Sequence, residues 1–262
     1  MADDLLMSER PHLSVVIPAY REERRLQASL PVIRQYLESC NYSWEVVLVD
    51  DGSPDRTSDV ARDLLAGAPH QILRNEPNAG KGASIRRGML ASQGNLALFT
   101  DADLSTPIED IERLLPAIEA GADVAFGSRA VAGSELSVRQ PLAREMSGRV
   151  FNLAVRLLVI RGVCDTQCGF KLFTRRAADF LFPLQTMAGF AFDVELLGIA
   201  QAAGLRIQEV GVRWENSPGT RVSLAAGMKA FTDLVRVRRR IRQLRREGAL
   251  GGLAAARTQD HA

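Results

Sequence analysis

NLALFTDADLSTP, residues 95–107, is a short apolar run that stops on two aspartates spaced by one residue and then meets a proline. Four or five apolar residues bounded by Gly94 on one side and a polar cluster on the other read as a fully buried strand. Pro107 suits the first turn of a helix, where its missing N–H removes no hydrogen bond. Strand followed by helix is one βα unit, and the same phrase repeats outward in both directions. Upstream lie QILRN (71–75), WEVVLVD (44–50) and LSVVIP (13–18), and downstream lies ADVAFGS (122–128). Helical composition fills 22–38, 55–66, 80–93 and 107–120 between them, with Gly94 and Gly121 after helix ends. Alternation of this kind predicts an α/β fold: a mostly parallel central sheet flanked by helices.

After about residue 130 the phrasing loosens. A loop GSELSVRQP (133–141) precedes an amphipathic helix near 141–161, the turn DTQCGF, a strand KLFT (171–174), a helix through FDVELLGIAQAAG, and a strand RIQEVGVRW (206–214). There is no internal repeat or low-complexity linker, so the second half is expected to complete the same domain over 12–228. Residues 229–247 form a separate signal. In KAFTDLVRVRRRIRQLRR, Phe231, Leu234, Val237, Ile241 and Leu244 share one face of a helical wheel, while Arg236, Arg239, Arg240, Arg242 and Arg246 lie off it. Such a basic amphipathic helix could lie in a membrane interface or pack its stripe on the body. Residues 248–262 are expected to be a disordered tail.

Composition narrows the function classes. With 262 residues and 46% hydrophobic content the chain can bury one substantial core. A net charge of +2 argues against a polyanion binder, so no nucleic-acid partner is expected. Three cysteines, Cys40, Cys164 and Cys168, form no disulfide framework, and with His12, His70 and His261 as the only histidines they make no zinc site. The acidic start MADDLLMSERPH does not resemble a signal peptide, and no run reaches the ~18 apolar residues of a span. The chain is therefore expected to be cytoplasmic, with any membrane contact peripheral.

In open α/β sheets, ligands sit beyond the carboxyl ends of the strands. Here those ends read Pro18-Ala19-Tyr20 followed by Arg21-Glu22-Glu23, then Asp50-Asp51-Gly52-Ser53, then Asp101-Ala102-Asp103. Two carboxylates two residues apart repel unless a positive group compensates. Mg²⁺ or Mn²⁺ bridging them to a diphosphate would do so, since such ions are held by one or two carboxylates plus substrate phosphates. The alternative is that Asp103 caps a helix N-terminus. Gly80-Lys81-Gly82 lacks the spacing of a nucleotide-binding P-loop, and is either a phosphate-facing turn or a helix entry with a solvated lysine. An NAD-type oxidoreductase needs a glycine-rich first turn, whereas PAYREE has no glycine. A silent binding module would be expected to lose a strand-end acid, and all are kept.

VVIPAYREE, VVLVDDGSPD, NAGKG and FTDADLSTP, in that order and spacing, resemble the family 2 glycosyltransferases of the GT-A fold, in particular those acting on polyprenyl phosphates. DTQCGFKLFTRRAA (165–178) and FAFDVELLGIAQ (190–201) resemble the dolichyl-phosphate β-glucosyltransferase branch. The resemblance covers about residues 12–235. It implies that Pro18, Tyr20 and Glu22 wrap the nucleotide, that Val49 and Asp51 contact the base, and that Asp101 and Asp103 bind the donor and the metal. Lys81 is grouped with the donor side. Arg129 matches an arginine near the diphosphate, and Arg221 a basic residue of a late loop. Ser105 stands where the mannosyl branch often has Gln or His, leaving the third metal ligand open.

The implied reaction is inverting transfer of a hexose, glucose from UDP-glucose by the branch motifs, onto a polyprenyl phosphate. GDP-mannose as donor and a soluble acceptor are the alternatives. A phosphate acceptor is already anionic and needs no general base. Catalysis then falls to the metal, Asp103, Arg129 and Arg221 acting on the leaving diphosphate. Arg144, Arg149, Asp165 and Lys171 are candidates for the acceptor phosphate, or are ordinary surface charge.

Overall fold

The computed structural model describes residues 10–136, 152–215 and 224–251, the side chains of 136 and 224–231 excepted. The strands are β1 (Leu13–Ala19), β2 (Trp44–Asp50), β3 (His70–Arg74), β4 (Leu96–Thr100), β5 (Val124–Ser128), β6 (Glu135–Leu136), β7 (Phe170–Thr174), β8 (Ile207–Gly211) and β9 (Arg213–Trp214). The helices are α1 (Glu23–Ser39), α2 (Thr57–Leu64), α3 (Lys81–Ala91), α4 (Ile111–Glu119), α5 (152–158), α6 (Arg175–Leu184), α7 (Phe192–Ala202) and α8 (Leu224–Arg246). Seven strands form one sheet in the order β3-β2-β1-β4-β7-β5-β8. Every neighbouring pair is parallel except those made by β7, which runs antiparallel to both β4 and β5.

The near-continuous apolar strands follow from burial on both faces. Val15, Ile17, Val46, Leu48 and Leu98 point to one side, where α1, α2 and α4 supply Leu30, Ile33, Ala61 and Leu114. Val16, Val47, Phe99, Phe126 and Phe173 point to the other, against α3, α6, α7 and α8. Each fully buried Leu or Phe contributes about 1.5–3 kcal/mol relative to exposure.

Two expectations are corrected. RIQEVGVRW is not one strand: Val212 is fully buried, its N–H reaches the Ser128 carbonyl at 3.2 Å, and the chain turns there. Arg213 and Trp214 then pair with Glu135 and Leu136 in a separate two-stranded ribbon. The basic helix expected over 229–247 starts at Leu224 and belongs to the core. Leu234, Val237, Ile241 and Leu244 are all buried and pack in the cluster that includes α7, so this stripe is not available to a bilayer. Among the described residues no helix is long and apolar enough to cross a membrane. The expected tail, apart from 248–251, and most of the helix expected over 141–161 lie outside the described residues.

Candidate active site

The carboxyl ends of β1, β2 and β4 share one sheet edge because the three strands are parallel. Both β4 and β5 oppose β7, so β5 ends at that edge too and β7 begins there. Tyr20, Asp51, Asp101, Asp103, Arg129 and Gly169 are thereby gathered from five separate stretches of chain. Two non-glycine residues with left-handed backbone lie in these turns, Arg21 (φ 57°) after Tyr20 and Leu104 (φ 47°) after Asp103. Such conformations cost about 1–3 kcal/mol each and persist where the surroundings hold them.

The β1 and β2 turns brace one another. Arg21 N–H donates to Ser53 Oγ at 2.9 Å and Glu22 N–H to Thr57 Oγ1 at 3.0 Å. Tyr20 is 42% exposed with the Arg21 guanidinium over its ring, and Pro18 is half-buried. Glu22 pairs with Arg25 at 3.0 Å, and burial pushes its carboxyl above the usual range. Asp50 is structural: it accepts from Ser53 N–H, Ser58 Oγ and Arg74.

Asp51 and Val49 are the residues expected to contact a base, and the structure shows what their side chains meet within the protein. Val49 is fully buried, so only its main chain could meet a ligand. Asp51 is 4% exposed; its oxygens accept from Asn75 Nδ2 (2.8 Å), Ala79 N–H (2.9 Å) and Gly80 N–H (2.8 Å). Burial alone would raise its carboxyl, but these donors outweigh it and hold it below the usual range. Asp51 therefore fixes the loop that opens α3.

That loop delivers Lys81. Gly80 adopts φ 98°, open to glycine and strained for other residues, and Lys81 follows as the first residue of α3. Its Nζ lies 2.6 Å from Asp101 Oδ1, so the lysine is ion-paired in the site instead of solvated. Burial works against its charge, yet Asp101 and Asp193 outweigh burial and hold the ammonium above its ordinary pKa. The bare Gly169 makes room for the Asp101 carboxylate, which a methyl there would overlap. Asp103 Oδ1 accepts Ser105 N–H at 3.0 Å, and the Ser105 carbonyl accepts Glu215 N–H at 2.8 Å.

Behind this pair sits a second one. Lys171 Nζ donates to Asp193 Oδ1 at 2.5 Å and to the Cys168 carbonyl at 2.6 Å, 5.2 Å from the Phe99 ring centre. Burial pushes the Asp193 carboxyl up and Lys171 pulls it down, and burial prevails. Lys171 is fully buried. Its expected place on the acceptor side is corrected: it is an interior counter-ion whose ammonium is already engaged.

Arg129 and Asp165 come together as a bidentate pair. Nε donates to Oδ2 at 2.6 Å and Nη2 to Oδ1 at 2.9 Å, and the guanidinium lies 5.3 Å from the Trp214 ring centre. Asp165 is anchored in turn, since its own N–H and that of Cys164 both donate to Glu209 at 2.7 Å. Burial would lower Arg129 and raise Asp165, but each holds the other charged. Nη1 of Arg129 has no hydrogen-bond partner among the described residues. Arg144, Arg149 and Arg221 lie outside the described residues.

The donor set suits a divalent cation. Asp101 and Asp103 stand at one turn, Gly169 makes room for the Asp101 carboxylate, and the described residues hold no cluster of three or more acid, cysteine or histidine ligands. Two carboxylates completed by substrate phosphates is the pattern for Mg²⁺. Sequence reasoning missed Asp193, Glu209, Gly169 and Trp214. FDVELL and DTQCGF stood out as motifs, but nothing local says that Asp193 meets Lys171 or that Gly169 cradles Asp101.

The profile of glycosyl transferase family 2 matches residues 14–182. A dolichyl-phosphate beta-glucosyltransferase of Trichomonas vaginalis is 37% identical over 238 residues, 86% of this chain and 70% of that one. The Homo sapiens dolichyl-phosphate beta-glucosyltransferase is 36% identical over 252 residues, 89% and 76% of the two chains. Among solved structures, glucosyl-3-phosphoglycerate synthase from Mycobacterium tuberculosis, in complex with Mn²⁺, UDP-glucose and phosphoglyceric acid, superposes with a TM-score of 0.65 at 20% identity. That match covers 87% of this chain and 80% of the synthase and shows a shared fold.

Proposed function

The chain belongs to glycosyl transferase family 2, and from that membership we propose that it moves glucose from UDP-glucose onto a polyprenyl phosphate of the dolichyl type, with inversion at the anomeric carbon. The observation that carries this reading is the meeting of Asp101, Asp103, Lys81 and Arg129 at one sheet edge. Carboxylates for a cation stand beside cations for a diphosphate. The sugar and the lipid come from the names of relatives 34–38% identical over most of the chain.

Asp101 and Asp103 would hold Mg²⁺ or Mn²⁺, which supplies charge withdrawal from the donor diphosphate. Lys81 and Arg129, with Arg221 as a candidate, neutralise the negative charge that grows on UDP as the bond from the anomeric carbon to the diphosphate oxygen breaks. The acceptor oxygen attacks from the opposite side and closes the new C–O bond, converting an α-linked donor into a β-linked product. A phosphate monoester arrives as an oxyanion, so no residue has to remove a proton. Asp165 and Glu209 keep Arg129 in position, and Tyr20, Glu22 and the main chain at Val49 would border the nucleotide.

The protein would work at the cytoplasmic face of a membrane, held peripherally. Because the apolar stripe of α8 is buried, the contact we propose is the exposed arginine face of that helix against anionic headgroups. The deciding experiment is a donor screen with a short polyprenyl phosphate, with and without Mg²⁺, scored by partition of labelled sugar into organic solvent. UDP-glucose should give a metal-dependent, solvent-extractable product. Turnover with GDP-mannose would move the assignment to the mannosyl branch, and product confined to water would make the acceptor soluble.

A further inference from the structure

Two lysines and two aspartates share the interior edge of the site, and they are paired one to one. Lys171 is committed to Asp193 at 2.5 Å and is also held by the Cys168 carbonyl, with its side chain fully buried. Lys81 is committed to Asp101 at 2.6 Å, and these two side chains keep 25% and 33% of their surfaces exposed. The inner pair is sealed; the outer pair faces the cleft.

We propose that Lys81 is a resident counter-ion that must leave Asp101 when a divalent cation binds there, and that its ammonium then takes the donor diphosphate, so that metal and nucleotide enter as a coupled pair. The inference rests on the metal-dependent transferase reading above and adds an exchange step to it. No bond to carbon is made or broken in this exchange; one ionic contact of Asp101 replaces another.

The immediate surroundings of Lys81 leave it one natural exit. Asp101 carries the ammonium on Oδ1 while Oδ2 lies against the bare Gly169, so a cation at this carboxylate competes directly with Lys81. Asp193 already holds the buried Lys171 through Oδ1 and is itself almost wholly buried. The main chain of Lys81 is clamped as well: Gly80 N–H is bound to Asp51 at 2.8 Å, and Gly82 N–H donates to the Ala188 carbonyl at 2.7 Å. Only the side chain can move. A cation arriving alone would take the charge of Asp101 and Asp103 that holds the ammonium in place. A cation arriving with a nucleoside diphosphate brings an anion for the ammonium along. Such linkage is reciprocal, so metal should tighten nucleotide binding by the same factor that nucleotide tightens metal.

The test is direct Mn²⁺ binding to the full chain, read by the free-ion electron paramagnetic resonance signal, alone and with saturating UDP. Wild type should bind Mn²⁺ weakly alone. Lys81→Met and Lys81→Gln should each bind Mn²⁺ alone about tenfold more tightly, a size usual for coupling between sites. The same variants should bind UDP more weakly without metal and show a smaller UDP-dependent gain in Mn²⁺ affinity. Unchanged or weaker Mn²⁺ binding by both variants, with Asp103→Asn abolishing it, would overturn the exchange and leave the metal site standing. Wild-type Mn²⁺ binding by Asp103→Asn would remove the metal site itself, and the exchange with it.

Discussion

The two halves of the cleft hold charge differently. On the β1–β2–β4 side, acids stand at the ends of parallel strands; Asp50 and Glu22 pair with Arg74 and Arg25, while Asp51, Asp101 and Asp103 are met by backbone N–H groups, the Asn75 amide and the ammonium of Lys81. On the β5–β7–β8 side, opposite charges from distant segments are locked together before any ligand arrives, as in Arg129 with Asp165 and Lys171 with Asp193. The difference follows from topology. Parallel βα units put every strand end at the same edge in chain order, whereas antiparallel β7 returns the chain to that edge and lets residues far apart in sequence meet. The first side presents ligands; the second fixes the orientation of a cation.

The comparison breaks first at Asp103. If the first side exists to bind a cation, Asp103→Asn should lower turnover by about 10²–10³ or more, the scale of losing a main electrostatic contact to the leaving group. The amide oxygen can still accept the Ser105 N–H, so the melting temperature should stay near that of wild type. Turnover like wild type's, or undiminished turnover in excess chelator, would place the chemistry elsewhere.

The same topology decides how much the sequence tells. LSVVIP, WEVVLVD and NLALFTD could be recognised because buried parallel strands are continuous apolar runs, and the acids that follow them needed no knowledge of folding partners. Asp101 and Asp103 were singled out this way, whereas Arg129 entered only through the family resemblance. The loop contacts of Asp51 were not legible, since its three N–H donors come from residues 75–80 and appear only once the loop closes. Val49 illustrates the same limit: strand position shows that it reaches the edge, while the packing of α3 shows that its side chain is buried. Lys171 was taken for an outward charge because a lysine in KLFT has no local sign of its partner Asp193. The stripe of α8 was legible as a stripe, but periodicity alone does not distinguish a bilayer from a protein core.

A smaller effect tests the second side. Asp165→Asn leaves the guanidinium of Arg129 without its anion, and breaking a buried pair in this way costs about 3–5 kcal/mol. The lower figure is expected, because 27% of the Arg129 side chain is exposed and Trp214 still covers it. About 3 kcal/mol corresponds to a fall of roughly 6–12 °C in Tm for a chain of this size. Acid sharpens the test. The folded Asp165 carboxyl lies below its ordinary value, so the unfolded chain takes up the proton first. Its contribution is complete above the ordinary carboxylate value of about 3.9 and is lost as pH falls through the folded value. The Tm gap between wild type and Asp165→Asn should therefore narrow below about pH 4. A constant gap would mean that the pair is not what stabilises this side.

The smallest expected effect concerns α8, which packs on the second side through α7 and extends its positive charge outward. Leu234, Val237, Ile241 and Leu244 face the core, whereas Arg238, Arg239, Arg242, Arg245 and Arg246 remain exposed; Arg236 is exposed too but shares its charge with Asp233 at 3.0 Å. Removing the whole helix would therefore mix two effects, loss of core and loss of charge, and point changes separate them. Leu234→Ala should destabilise the fold by about 2–5 kcal/mol without altering the basic face. Arg242→Gln should leave Tm unchanged and weaken binding to vesicles containing phosphatidylserine by about 1 kcal/mol, roughly fivefold in partition at low salt. The deficit should fade as ionic strength rises, because exposed charges more than about 10 Å apart are screened near 0.1 M salt. Flotation of Arg242→Gln equal to wild type's at low salt would mean that Arg242 does not contribute to membrane contact. The exposed Leu153 and Leu157 of α5, 56% and 75% accessible, would then be the next side chains to change.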